Sequence, residues 1–318
     1  MAYRLLTMIG LVLIVFAFFS PIWWVSLRAP QYPDTAFPQG IRIHFHIDGV
    51  FSGCKKIESA EKSEDEALDC KHEMDAINHY VGMYPIAAGG PVERTVSPFL
   101  FSLLVVMLLA FVIPNPKVRL GFFAVSCAAI AVWMSMALYG KGGVLLMSPN
   151  YISDFRDTME LNFDEYANWS ALQTLQESYT EALGRYFRDR VVIAERVDLM
   201  MTIAHGVYWL ILAGMAVLVV GLWKIRQFYW LLILIPALIP VFFVIEYAAW
   251  LWWFGHNLND MAAFSVKPFM PTVFGDGKVA QFTTYSYPHY GYGMLFGAGL
   301  ALGLAALIRR KQMADEDE

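Results

Sequence analysis

The sequence predicts an all-α membrane protein of about six transmembrane helices, whose outer-face loops contain a short β element and an amphipathic helical insert. Three observations predict this class. Of the 318 residues, 58% are hydrophobic and only 16% are charged, whereas soluble domains are about half apolar and about a quarter charged. Six stretches approach the roughly 20 apolar residues that a spanning helix requires. The short loops between some of them are basic, as the topology of membrane proteins predicts for one side.

The apolar segments divide the chain into spans and outer regions. Phe99–Ile113 is the shortest of them, and it reaches a spanning length only if its helix begins near Thr95. The six segments are Leu5–Leu27, Phe99–Ile113, Leu120–Tyr139, Met200–Trp223, Phe228–Trp253 and Gly291–Ile308. The predicted regions are 1–27, transmembrane helix 1; 28–98, an outer loop with a strand and an NHYVGM box; 99–139, transmembrane helices 2 and 3; 140–199, an outer amphipathic helical insert; 200–253, transmembrane helices 4 and 5; 254–290, an outer loop with a GHNL box; and 291–318, transmembrane helix 6 with an acidic cytoplasmic tail.

The first segment predicts an uncleaved membrane anchor. Arg4 precedes the apolar run, as in a secretory signal peptide, but the run is longer than the usual apolar core of such a peptide. It ends in SPIWW at 20–24, which supplies interfacial aromatic residues in place of a small-residue cleavage site. A cleaved signal peptide is the alternative.

Charge in the short loops predicts the orientation. PNPKVR at 114–119 and KIRQ at 224–227 are basic and contain no acidic residue, and the last span ends in RRK at 309–311. By the positive-inside rule these segments lie in the cytoplasm, together with both termini. We therefore expect a multi-pass protein of the bacterial inner membrane, in contact with the lipid bilayer and with no nucleic-acid partner. The histidines then lie in outer segments or near the outer end of a helix: His44, His46, His72, His79, His205, His256 and His289.

Two of the three cysteines flank an acidic stretch of the first outer loop. Cys54 and Cys70 enclose KKIESAEKSEDEALD, and in an oxidising compartment such a pair predicts a disulfide that stabilises the fold by about 3 kcal/mol. Thiolate metal ligands are the alternative, although the spacing matches no compact zinc motif. Cys127 lies within the third apolar segment and is expected to be a packing residue.

The stretch IRIHFHIDGVF at 41–51 alternates with the period of a strand. The alternation places Ile41, Ile43, Phe45 and Ile47 on one face and Arg42, His44, His46 and Asp48 on the other. His44 and His46 are then about 7 Å apart along the strand. They could bind one metal ion between them or simply face water.

The segment EMDAINHYVGM at 73–83 combines His79 with Met83 near the predicted membrane surface. Imidazole is a suitable ligand for copper, and a thioether selects Cu(I). This segment therefore predicts a copper site, with a membrane-interface turn and a hydrogen-bonded histidine as the alternative.

The insert at 150–197 has the apolar spacing of amphipathic helices. Its apolar positions recur at intervals of three and four residues. Such helices predict a cap or a docking surface on the outer side. The positions are Leu172, Leu175, Tyr179, Leu183 and Tyr186.

Glu246 is an intramembrane acid within the fifth predicted span. A carboxyl group at this depth is costly unless it faces the interior of the bundle or is protonated. Trp250 and Trp253 share its helix face. One interpretation is a relay of protons or metal ions towards His256, and the other is a neutral glutamic acid hydrogen-bonded between helices.

Three boxes of the sequence resemble a known family. They are SPIWWVSLRAPQYP, INHYVGM and FGHNLNDMAAF, the last of which is followed by Met270. Together they resemble multi-pass bacterial membrane proteins with APQYP, NHYIGM and GHNL boxes, which are associated with gene neighbourhoods of the copper enzyme nitrous oxide reductase. The resemblance implies a role beside a periplasmic or membrane copper enzyme, in copper handling, maturation or electron supply. The chain departs from the family pattern at NLNDMAA, where an aspartate and then a proline are expected, and in the insert at 150–197.

Three classes of function follow from these observations. The first is a copper-handling accessory protein, with copper as its cofactor. The second is a structural or assembly subunit without metal, and the third is a membrane oxidoreductase or transporter that uses Glu246. For the first class we expect the boxes at 78–83 and 255–270 to approach each other so that His79 and His256 share an ion. The candidate metal ligands are His79, Met83 and His256, followed by His44, His46, Met270 and His289.

Overall fold

The computed structural model describes residues 1–54, 69–86, 88–263, 266–279 and 281–317. Long apolar helices form a bundle, and a small sheet with several shorter helices covers one end of it. The helices are α1 (Ala2–Phe18), α2 (Cys70–Tyr80), α3 (Pro91–Val112), α4 (Pro116–Tyr139), α5 (Pro149–Met159), α6 (Phe163–Tyr166), α7 (Ala171–Gly184), α8 (Arg190–Lys224), α9 (Phe228–Ala237), α10 (Ile239–His256) and α11 (Tyr290–Asp317). The strands are β1 (Trp23–Arg28), β2 (Ile41–Phe45), β3 (Val50–Ser52), β4 (Gly275–Val279) and β5 (Phe282–Pro288).

Within the described residues, four helices are long and apolar enough to cross a membrane, namely α3, α4, α8 and α11. Helices α9 and α10 form a fifth candidate together, but they meet at a bend of 59°. Pro236 and Pro240 flank this bend, and neither has the N–H group that a continuous helix requires. The predicted span Phe228–Trp253 is therefore a broken helix.

The predicted first span, Leu5–Leu27, is wrong in its second half. Helix α1 ends at Phe18, and the following apolar residues form strand β1. An apolar run is compatible with a buried helix or a buried strand. Here β2 and β5 pair with β1 on its two sides and satisfy its backbone hydrogen-bonding groups. Helix α3, by contrast, begins at Pro91, so the shortest predicted span becomes a helix of 22 residues.

The five strands form one antiparallel sheet in the order β3-β2-β1-β5-β4. This sheet is larger than the predicted short β element, because two of its strands come from the outer loop 254–290 and one from the predicted first span. Segments that are distant in the sequence therefore meet. Trp24 pairs with His44 on one side and with Tyr287 on the other.

Strand β2 has the predicted alternation over a shorter range. Ile41 and Ile43 are fully buried, but the strand ends at Phe45 and β3 returns beside it, so residues 41–51 form a hairpin. Asp48 does not lie on an open polar face as predicted. It is buried in the turn and accepts hydrogen bonds from Ser148 Oγ at 2.6 Å and Asn150 Nδ2 at 3.3 Å.

The predicted disulfide between Cys54 and Cys70 is confirmed. It joins the segment after β3 to the first residue of α2. The acidic stretch between the two cysteines lies outside the described residues from 55 to 68. Cys127 is a free cysteine buried within α4, as expected of a packing residue.

The insert is helical, but its apolar face is not an open docking surface. Leu172, Leu175 and Leu183 are buried, since α7 packs against α3, α4 and α8. A buried network of ion pairs also connects α5 of the insert to α2 and α3. Asp154 of α5 pairs with Lys71 of α2 and with Arg94 of α3.

Basic residues gather at the end of the bundle away from the sheet. The guanidinium carbon of Arg119 lies 4.2 Å from the ring centroid of Tyr229, and that of Arg309 lies 5.2 Å from the ring centroid of Tyr3. Arg4 Nε donates to the Tyr3 hydroxyl at 3.1 Å. These residues belong to α1, α4, α9 and α11, and the other ends of α1 and α11 lead directly to strands β1 and β5. The tertiary structure thus separates the basic loops from the histidine-bearing end.

Candidate functional site

Three of the predicted histidines lie on one face of the sheet. His44 belongs to β2, His46 follows its last residue, and His289 follows β5. The ring centroids of His44 and His289 are 5.1 Å apart. The pairing of β1 explains this approach, because Trp24 is paired with His44 of β2 on one side and with Tyr287 of β5 on the other. His289 is two residues beyond Tyr287 and therefore lies on the same face. We call His44, His46 and His289 the histidine group.

Burial keeps the histidine group neutral. It lowers the pKa of His44 to about 4, and the nearby charge of Arg42 and the two other histidines lower this pKa further. Burial also lowers the pKa of His46 to about 4, with an additional lowering by His289. The pKa of His289 is lowered by burial and by Arg42. At pH 7 each of these neutral imidazoles has one ring nitrogen with a lone pair that can accept a hydrogen bond or bind a metal ion.

Two nitrogen atoms of the histidine group have no hydrogen-bond partner among the described residues. They are His44 Nε2 and His46 Nδ1, and both are buried. His289 Nδ1 accepts a hydrogen bond from the backbone N–H of Tyr290 at 2.9 Å. An unsatisfied buried nitrogen is unfavourable and requires an explanation, such as a bound ion or an ordered water molecule. In the described part of the chain, no three His, Cys, Asp or Glu side chains already have the arrangement of a metal site.

The two sequence boxes contact each other, as predicted. Asn259 donates to the Gly82 carbonyl oxygen through its backbone N–H and through Nδ2, both at 2.9 Å. The backbone N–H of Ala263 donates to the Tyr80 carbonyl oxygen at 3.1 Å. Gly82 has a φ of +84°, and an added Cβ would lie 2.9 Å from the Asn259 carbonyl oxygen. The glycine and the asparagine of the two boxes therefore have a structural explanation.

The histidines of the two boxes have separate surroundings. The ring of His79 lies 5.3 Å from that of Phe187. His256 is exposed, stacks on Trp252 at 4.6 Å, and its Nδ1 is 2.8 Å from the Trp252 carbonyl oxygen. Met83 is buried in an apolar cluster, whereas Met270 is 45% exposed. The approach of the boxes thus does not bring the predicted ligands together as a preformed group.

Glu246 lines a cavity of about 250 Å³ between α3, α10 and the β2–β3 hairpin. Its expected neighbour Trp250 lines the same cavity but donates through Nε1 to Glu93 Oε1 at 3.0 Å. Glu93 was absent from the predicted site, because it lies in the predicted outer loop and only the early start of α3 brings it to the cavity. Trp253 and His256 are not among the lining residues. The relay predicted from Glu246 to His256 is therefore not supported, and His46 is the histidine that lines this cavity.

The fold and the two sites define an apolar helical bundle with a sheet at one end. Comparison of the chain with models of protein families, with curated proteins and with solved structures found no match. The function of the protein is therefore inferred from the geometry of the histidine group and of the cavity.

Proposed function

We propose that this protein is a multi-pass protein of the bacterial inner membrane, with cytoplasmic termini, that handles copper on its outer face. It would support a periplasmic copper enzyme such as nitrous oxide reductase, in maturation or in electron supply. The resemblance of the three boxes motivates the choice of enzyme. The gathering of basic residues at the bundle end away from the sheet supports the orientation.

The observation that carries the copper proposal is the histidine group. His44 and His289 have ring centroids 5.1 Å apart, and His46 lies two residues from His44. Ligand nitrogens lie about 2 Å from a bound ion such as zinc, so rotation of these side chains is needed to form a common site. His44 Nε2 and His46 Nδ1 have no hydrogen-bond partner within the described structure, so each could bind a copper ion without the loss of a hydrogen bond.

The ligand type favours copper among the transition metals. Neutral imidazoles suit copper as well as zinc, iron and nickel, and affinities for divalent ions at a given site are highest for copper. The described residues near the histidine group include no free thiol, because Cys54 is bonded to Cys70 and Cys127 is buried in α4. A histidine-only site suits reversible binding and transfer of the ion.

Metal content of purified variants tests this proposal. We expect wild-type protein loaded with copper and then desalted to retain it, and His44→Ala or His289→Ala to lower the occupancy by at least about tenfold. His72→Ala is the matched control, since His72 is also on the outer side but interacts with Tyr186. It should leave occupancy unchanged.

Two further results would contradict the proposed site. Wild-type protein that retains no copper would end the copper proposal. A loss of copper in His79→Ala or His256→Ala, with normal occupancy in His44→Ala, would instead assign the ion to the two boxes.

A further inference from the structure

The cavity that contains Glu246 has walls of two kinds. Most of its surface is apolar and aromatic, with Phe45, Phe101, Phe243 and Trp250 among the lining side chains. A smaller part is polar and comes from His46, Glu93, Arg94, Ser97 and Glu246. A mainly apolar cavity with a few convergent polar groups is the usual form of a small-molecule site.

Three buried polar atoms of the lining residues have no hydrogen-bond partner within the described residues. They are Glu93 Oε2, Arg94 Nε and His46 Nδ1. Glu93 Oε2 requires a donor when it is ionised, and Arg94 Nε requires an acceptor. His46 Nδ1 can take either role, depending on its tautomer. A molecule that satisfies this cavity therefore has both donor and acceptor capacity.

The cavity has an entrance from the side of the bundle. Leu100 of α3 and Phe242 of α10 both line it, and they are 38% and 51% exposed, respectively. Both lie in the helices that are candidates for crossing the membrane. The exposed side chains at this entrance thus face the bilayer, and a ligand would enter from the lipid.

We propose that this cavity binds the head group of a membrane-soluble aromatic diol, an isoprenoid quinol. Its ring would pack against Trp250 and Phe243, and its apolar tail would leave between Leu100 and Phe242. A hydroxyl group is both a donor and an acceptor, so one end of the ring can donate to Glu93 and accept from Arg94. This proposal concerns binding and does not depend on copper.

Other amphiphiles fit the polar groups less well. An alkylammonium ion is a donor only and would leave Arg94 Nε without an acceptor. A fatty acid carboxylate is an acceptor only and would face Glu93 and Glu246, which are of like charge when ionised. The quinol satisfies both requirements with neutral groups.

Calorimetric titration of the full chain in dodecyl maltoside micelles tests the proposal. The probe is a benzoquinol with a ten-carbon tail, kept under anaerobic conditions, and empty micelles provide the reference. We expect saturable binding of about one molecule per chain. Glu93→Gln and Glu246→Gln should each weaken it at least about tenfold, because the amide group has one acceptor oxygen where the carboxyl group has two.

Controls separate the site from general effects. Glu195→Gln changes an exposed glutamate of α8 outside the cavity and should bind the probe normally. Leu100→Trp, at the exposed entrance, should reduce binding without loss of folding. A His44→Ala/His289→Ala variant should bind the probe normally even if it loses copper, which distinguishes this proposal from the preceding one.

Three results would overturn the quinol site. One is the absence of saturable binding by the wild type beyond partitioning into micelles. Another is normal binding by both Glu→Gln variants. The third is stronger binding of decyltrimethylammonium than of the quinol, with its loss in Glu93→Gln, which would assign the cavity to a cation.

Discussion

At the scale of single residues, Asp154 joins α5 and α2 to helix α3 of the bundle. Its side chain is 2% exposed and pairs with Lys71 and Arg94, whose side chains are 18% and 10% exposed. A buried ion pair contributes little by itself, but loss of one partner leaves an uncompensated buried charge. Arg94 also lines the cavity, so Asp154 holds one of its walls in place.

Replacement of Asp154 tests this role. We expect Asp154→Ala to lower the free energy of unfolding by about 3–5 kcal/mol, because the Arg94 guanidinium would remain buried without its partner. Unfolding in mixed micelles measures the change. Asp157→Ala removes an exposed carboxylate of the same helix and should leave stability unchanged, and equal effects of the two variants would contradict the explanation.

At the scale of elements, the end of α10 depends on a close backbone contact. A Cβ at Gly255 would lie 2.0 Å from the Phe269 carbonyl oxygen and 2.9 Å from Pro271 Cδ. The backbone N–H of Phe269 also donates to the Gly255 carbonyl oxygen at 3.1 Å. The glycine of the GHNL box is thus required by packing of the segment that leads to β4.

Three Gly→Ala variants measure the importance of this contact. Gly255→Ala should destabilise the protein by about 1–3 kcal/mol, because two backbone segments must separate. Gly206→Ala and Gly214→Ala, in α8, meet no atom within 4 Å of the added Cβ and should be neutral or stabilising by about 0.5–1 kcal/mol. Melting temperatures of the three variants in detergent provide the measurement. A Gly255→Ala variant as stable as the wild type would refute the requirement for glycine at this position.

The disulfide between Cys54 and Cys70 is a second feature that stabilises the arrangement of the elements. It closes a loop with a sequence separation of 16 residues, for which the chain-entropy model gives a stabilisation of about 3 kcal/mol. We expect Cys54→Ser/Cys70→Ser to lower the melting temperature, and reduction of the wild type to have the same effect. Alkylation and mass spectrometry of non-reduced protein provide the direct check, and two reactive thiols at these positions would disprove the bond in the cell.

At the scale of the whole molecule, the charge distribution has two distinct ends. Arg4, Arg119 and Arg309 lie near one another at one end of the bundle. The sheet and the histidine group lie at the other end. Positive-inside topology predicts that the basic end is cytoplasmic, and this orientation is a requirement of the proposed function on the outer face.

Cysteine labelling in intact spheroplasts tests the orientation. Lys117 is exposed in the first turn of α4 and Glu181 is exposed on α7. An impermeant maleimide should label Glu181→Cys but should label Lys117→Cys only after lysis. The native cysteines interfere little, because two are in a disulfide and Cys127 is buried. The opposite labelling pattern would place the histidine group in the cytoplasm and would end the proposed partnership with a periplasmic enzyme.

The sequence by itself determined the features that depend on neighbouring residues. Apolar runs of sufficient length predicted the long helices, the three-and-four spacing predicted that the insert is helical, and the flanking cysteines predicted the disulfide. Each of these signals is local. Periodicity, length and compartment chemistry can be read without knowledge of the partners in space.

Tertiary structure alone decided the features that depend on distant segments. The residues of β1 are apolar enough for a helix, and only pairing with β2 and β5 made them a strand. The same pairing brought His289 to His44, although 245 positions of the chain separate them. His79 and His256 instead pack against Phe187 and Trp252, respectively, and do not join the histidine group. Glu93 joined Glu246 in one cavity because residues of α3 and of α10, which are distant in the sequence, both line it. Strand partners and cavity neighbours are set by long-range packing, which no local period in the sequence specifies.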